Sequence, residues 1–315
     1  MPALSKILQQ CRKWNSRHLL GIKDLSKPQI EQILRLSLDL KGIPADELRK
    51  AAPLKGRRIF NFFVENSTRT KISFGIAARQ LGAEVLDFSP GTSSLNKGES
   101  LKDTAKTIES MGVDFAVIRH PSSGAPHFLS AQIGGAVLNA GDGANEHPTQ
   151  ALLDLLTIRE ATGRINKLKI AMIGDITHSR VARSNIWLHK KLGNEVTICG
   201  PSTLVPPGLP VTVSHDLDSI LAQQDVVMML RLQKERQKAG LLPSIGEYAT
   251  LFGMTRERLD LLKEKAILMH PGPMNRGVEI SAEAADSDRA VILDQVTNGV
   301  VVRMALLLLL KEALR

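Results

Sequence analysis

Residues 58–81 read RIFNFFVENSTRTKISFGIAARQL. The segment opens with an apolar run of strand length, 58–64, in which Ile59, Phe60, Phe62, Phe63 and Val64 follow Arg58. Asn66, Ser67 and Thr68 then bring short polar side chains that can cap a helix, and 70–81 reads as that helix. A buried strand passing directly into a helix is the first half of a βαβ unit. The alternation continues outward from it. Strand-like runs lie at 84–88, 114–118, 136–139, 169–173, 195–198, 225–230 and 266–269. Helix-like segments lie at 101–111, 148–162, 179–192, 217–222 and 299–314. The expected fold is therefore α/β, two doubly wound parallel-sheet domains joined by bridging helices.

A chain of 315 residues is long enough for two cores. The series pauses once, where the helix at 148–162 gives way to the turn-like 163–167 and a new strand starts. This places the domains at 1–150 and 151–298, with a C-terminal helix, 299–315, packing back on the first. The seven apolar residues 304–310, between Arg303 and Lys311, fall short of the ~20 a membrane span needs and predict a buried helix. Residues 1–16 carry no interpretable pattern, and 201–210 reads as a loop.

With 43% hydrophobic and 23% charged residues, the composition is that of a globular protein and excludes disorder, collagen and coiled coil. The net charge of +9 favours anionic partners. Two Trp, one Tyr and eight Phe are too few for base-stacking platforms, so no nucleic acid is expected. Cys11 and Cys199 are isolated, and no leader-like segment stands out, which predicts inert thiols in a reducing cytoplasm. No His or Cys pair has metal-ligand spacing, so neither metal nor cofactor is expected.

Doubly wound sheets bind ligands beyond the carboxyl ends of their strands. The residues expected there are Ser67-Thr68-Arg69-Thr70, Ser94 to Lys97, Arg119, His147-Pro148-Thr149-Gln150, Arg180, Arg231-Leu232-Gln233 and His270-Pro271-Gly272-Pro273. Cations, hydroxyls and amides dominate this set, and carboxylates are nearly absent. Ser67, Thr68 and Thr70 add hydroxyl donors to the free N–H groups of a helix start, and Arg69 adds a fork matched to phosphate oxygens. An ordinary cap beside a surface Arg is the competing reading. For Arg119 the competing reading is a surface salt bridge, and for the 91–98 loop a solvated turn. His147 can donate to a carbonyl oxygen while Gln150 bonds the adjacent amide. Arg180 and Arg231 together offer the two forks that a dicarboxylate requires.

Taken together, residues 62–71, Arg119-His120-Pro121, His147-Pro148-Thr149-Gln150, 230–236 and His270-Pro271-Gly272-Pro273 resemble, in order and spacing, the motifs of the aspartate and ornithine carbamoyltransferases. The resemblance runs along nearly the whole chain. It implies a carbamoyl-phosphate-binding first domain using Ser67, Thr68, Arg69, Thr70, Arg119, His147 and Gln150, with main-chain contacts from Gly272 and Pro273. It implies that Ser94 and Lys97 reach into a neighbouring subunit, hence a homotrimer with shared sites. Aspartate-binding roles fall to Arg180, Arg231, Gln233 and Lys97. Thr70, Arg119, His147 and Lys97 would act on the reacting group.

Ornithine-using members show a His-Cys-Leu-Pro motif where this chain has His270-Pro271-Gly272-Pro273, and Arg231 would repel an ammonium side chain. The resemblance thus implies transfer from carbamoyl phosphate to L-aspartate, an early step of pyrimidine (UMP) biosynthesis. It leaves room for a higher assembly with a dihydroorotase or a regulatory chain. A silent scaffold of the same fold, or a basic nucleic-acid-binding module, would instead lack aspartate-dependent phosphate release.

Overall fold

The computed structural model describes residues 2–88, 99–233 and 241–314. The chain divides into two compact units, Met1–Leu152 with Thr297–Arg315, and Leu153–Val296.

The first unit runs α1 (Pro2–Cys11), α2 (Lys27–Lys41), α3 (Ala45–Ala51), β1 (Arg58–Phe63), α4 (Thr68–Gln80), β2 (Glu84–Asp87), α5 (Leu101–Ser110), β3 (Phe115–His120), α6 (Ala125–Ser130) and β4 (Ala136–Asp142). The helix α7 (Pro148–Thr162) then leads into the second unit. The four strands form a parallel sheet in the order β2-β1-β3-β4. Phe62, Ile108, Ala116, Ile118, Leu129 and Val137 pack one of its cores. Every residue of β4 is buried, as a strand covered on both faces requires.

The second unit contains β5 (Lys169–Ile173), α8 (Arg180–Leu192), β6 (Glu195–Cys199), β7 (Thr212–Ser214), α9 (Asp218–Leu221), β8 (Val226–Met229), α10 (Ile245–Phe252), α11 (Arg256–Asp260), β9 (Ile267–Met269) and α12 (Ala282–Ala285). The terminal helix α13 (Ile292–Glu312) begins in this unit and ends in the first. This sheet is also parallel, in the order β7-β6-β5-β8-β9. Alternate residues divide between two cores: Ile170, Met172, Val226 and Met228 join one, while Ala171, Ile173, Val227 and Met229 join the other.

Both strand orders are doubly wound. Besides the helices α6, α10, α11 and α12, which lie outside the expected segments, three details differ from the sequence expectation. Residues preceding Arg58 form three helices. The edge strand β7 offers no apolar run, because two of its three residues are exposed. The last helix starts at Ile292 rather than at 299. By length and composition α13 would reach across a membrane, yet 72% of its most apolar window is buried inside the protein.

Candidate active site

In the first sheet the crossover direction reverses between β1 and β3, and in the second between β5 and β8. Each such switch point opens a crevice at the carboxyl ends of its two strands. Of the expected ligand-binding residues, Ser67 to Thr70 and Arg119 lie at the ends of the strands flanking the first switch point, and Arg180 and Arg231 follow those flanking the second, whereas His147 and Gln150 come after β4 and Gly272 and Pro273 after β9.

At the first switch point, Val64 N–H donates to the Arg119 carbonyl at 2.9 Å, which draws the loop after β1 alongside the end of β3. Ser67 is the N-cap of α4 in extended conformation, and its side chain makes no capping hydrogen bond. The first turn of α4 holds no acidic residue, so the helix dipole is not offset there. Thr68 and Arg69 are exposed and Thr70 is buried. Arg119 sits half-buried, with Nη2 at 3.5 Å from Glu65 Oε1 and Nη1 at 3.4 Å from the Ala140 carbonyl. His120 accepts the Ser122 N–H on Nδ1 at 3.0 Å, and burial pushes its pKa below the usual histidine value. It closes β3 and fastens the turn that follows.

The loop into α7 is built around Asp142, a carboxylate the sequence reading overlooked. It is fully buried and accepts from Gly124 N (2.7 Å), Glu146 N (3.1 Å), Asn139 Nδ2 (2.9 Å) and Asn145 Nδ2 (3.0 Å). Glu146 in turn accepts the Ile22 N–H at 2.7 Å. This knot fixes the chain just ahead of His147, whose carbonyl accepts from Gln150 N and opens the first turn of α7. His147 and Gln150 are both buried. Thr149 Oγ1 lies 3.5 Å from His147 Nδ1.

At the second switch point, Gly174 follows β5 with φ +127, and a Cβ there would come within 2.8 Å of Tyr248 Oη and 3.0 Å of the Leu230 carbonyl. Only glycine fits so close an approach. Asp175 then bonds His178 Nδ1 at 2.8 Å, Ser179 caps α8 by accepting from Ala182 N, and Arg180 begins that helix as a buried cation. From the end of β8, Gln233 Nε2 donates to the His178 carbonyl at 3.3 Å. The loops carrying Arg180 and Arg231 are thereby tied together. Gly272, beyond β9, has φ +58, and its N–H donates to His270 Nδ1 at 2.8 Å.

Ser94 and Lys97 lie outside the described residues, as do Lys234, Glu235 and Arg236. Cys11 and Cys199 are buried, and desolvation pushes both thiols up to about 12, so neither presents a thiolate.

Residues 17–160 match the family described as aspartate/ornithine carbamoyltransferase, carbamoyl-P binding domain, and residues 166–310 match its Asp/Orn binding domain. Among curated relatives, the aspartate carbamoyltransferase catalytic subunit of Acetivibrio thermocellus is 54% identical over 298 residues, covering 94% of this chain and 96% of the relative. That of Ruminiclostridium cellulolyticum is 52% identical over 298 residues, covering 94% and 95%. The crystal structure of aspartate transcarbamoylase from Trypanosoma cruzi with carbamoyl phosphate and aspartate superposes with a TM-score of 0.85 at 33% identity, covering 94% of this chain and 95% of that one. The same enzyme with N-(phosphonacetyl)-L-aspartic acid also gives 0.85, at 32% identity, with 94% and 96% covered.

Proposed function

The chain belongs to the aspartate/ornithine carbamoyltransferase family, and from that premise we propose that it transfers the carbamoyl group of carbamoyl phosphate to the amine of L-aspartate. The products are N-carbamoyl-L-aspartate and phosphate, the chemistry of an early step in pyrimidine synthesis. The observation that carries the choice of acceptor is the placement of two arginines, Arg180 and Arg231, after the two strands that flank one switch point. Two fixed guanidinium forks suit the two carboxylates of aspartate and disfavour the ammonium side chain of ornithine.

In this reading the first unit holds carbamoyl phosphate. Ser67, Thr68, Arg69 and the N–H groups opening α4 take the phosphate oxygens, aided by Ser94 and Lys97 of a neighbouring copy. Thr70, Arg119 and His147 donate to the carbonyl oxygen and stabilise the negative charge that grows on it during attack. Gln150 and the main chain at Gly272 and Pro273 accept from the carbamoyl amide. Arg180, Arg231 and Gln233, with Lys97, hold aspartate. The aspartate nitrogen bonds to the carbamoyl carbon, the bond from that carbon to the bridging oxygen breaks, and the departing phosphate takes the proton the amine loses. No covalent enzyme intermediate is formed.

The working assembly is a cytoplasmic homotrimer. Ile72 and Ile76, one turn apart on α4, are 55% and 39% exposed, an apolar face suited to a subunit contact. Mixing inactive Lys97→Ala and Arg69→Ala chains should restore part of the activity through hybrid sites, and no restoration would contradict sharing. The activity itself is tested by phosphate release from carbamoyl phosphate with and without aspartate. Release that ignores aspartate would overturn the proposal.

A further inference from the structure

One fully buried carboxylate holds two of the loops assigned above. Glu279 has no exposed surface, and its own backbone is pinned by a hydrogen bond from Met254 N–H to its carbonyl at 3.0 Å. Its Oε1 accepts from the Asn275 N–H and from His270 Nε2, the latter at 3.2 Å. Its Oε2 accepts from Asn275 Nδ2 at 3.1 Å. The same Asn275 Nδ2 reaches the carbonyl of Leu232 at 3.5 Å, between Arg231 and Gln233. His270 Nδ1 accepts the Gly272 N–H at 2.8 Å, so its proton sits on Nε2 and points at the carboxylate. The His270 N–H donates to Gln295 Oε1 at 3.0 Å, and Gln295 Nε2 donates to Asp154 Oδ1 at 2.7 Å.

We infer that Glu279 is a positioning residue that locks the loop bearing Gly272 and Pro273 to the loop bearing Arg231 and Gln233. The inference rests on the functional reading above. Three donors converge on the carboxylate. A glutamine amide offers one oxygen and would turn its NH2 toward a donor, so Glu279→Gln breaks the lock while preserving volume. Asn275→Ala removes the side-chain link to Leu232 and leaves the Asn275 N–H in place.

The test combines steady-state kinetics with amide hydrogen exchange on the full-length protein. Asn275→Ala should raise the KM for aspartate about tenfold with kcat little changed, since displacement of a substrate-holding loop is read as lost binding. Glu279→Gln should raise that KM and lower kcat as well, because it also frees Gly272. In both variants residues 230–233 should exchange faster, although neither substitution lies among them. Should Glu279→Gln fail to fold, Asn275→Ala decides alone. Variants that lower only the unfolding midpoint, with native KM, kcat and exchange, overturn the inference. If the native enzyme releases no phosphate with aspartate, the functional reading falls, while the exchange comparison still decides whether the loops are coupled.

Discussion

Arg303 Nη2 donates to Thr149 Oγ1 at 3.4 Å, while its guanidinium carbon lies 5.0 Å from the centre of the Phe74 ring. A guanidinium can only donate, so the Thr149 oxygen accepts and its own hydrogen is left for His147 Nδ1, 3.5 Å away. If Thr149 gives that hydrogen to Nδ1, the imidazole carries its proton on Nε2, the form that can donate to a carbonyl oxygen, and the rates below test that arrangement. Thr149→Val should lower kcat about tenfold, the worth of one hydrogen bond, with Thr149→Ser close to native. His147→Ala should cost about a hundredfold or more, as for a lost oxyanion donor. Steady-state rates check both, and a native rate for Thr149→Val would remove the relay.

Arg231→Ala should raise the KM for aspartate by roughly thirtyfold or more, the cost of stripping one partner from a charged pair, and leave carbamoyl-phosphate affinity near native. Arg231→Lys should recover only part of it, since an ammonium cannot bond a carboxylate as a fork. Calorimetric titration with each substrate separates the two effects. Equal weakening of both ligands would contradict the assignment.

His189 is fully buried on α8, where Nδ1 accepts from Asn194 Nδ2 at 3.0 Å, and desolvation pushes its pKa from 6.5 down to about 3. In the unfolded chain it titrates near 6.5, so between pH 6.5 and 3 the unfolded state binds a proton that the folded state refuses. Stability therefore falls as pH drops through that window, by at most ~1.4 kcal/mol per pH unit from this group. Urea midpoints between pH 7 and 5 should decline less steeply in His189→Gln than in the native chain. Parallel declines would show that another group is responsible.

Gly272 occupies the left-handed region at φ +58. Gly272→Ala should destabilise the second unit by about 1–2 kcal/mol, the cost of a side chain in that conformation, seen as a lower unfolding midpoint. An unchanged midpoint would mean the loop relaxes freely.

Much of this was legible in the sequence, and for definable reasons. Parallel strands buried on both faces become apolar runs, and 169–173 was readable to the residue. The places of Arg119, near the end of β3, of Arg231, just past β8, and of Arg180, at the helix start that follows β5, could be read from these runs. α2 was missed although Ser26 and Gln29 form a capping box and Ile30, Ile33 and Leu34 share a face, a signal present but not taken. Asp142, Glu279 and Arg303 were beyond reach: each bonds partners remote in the chain or hidden in a turn, and a lone charge does not announce its burial. Arg303, set in a run of apolar residues, was the strongest hint of the three.

The central claim is tested most directly by product identity. Carbamoyl phosphate offered to equimolar aspartate and ornithine, followed by mass spectrometry, should give carbamoyl-aspartate and no carbamoyl-ornithine above the uncatalysed background. Carbamoyl-ornithine as the major product would contradict the assignment of Arg180 and Arg231 and with it the account of the second unit.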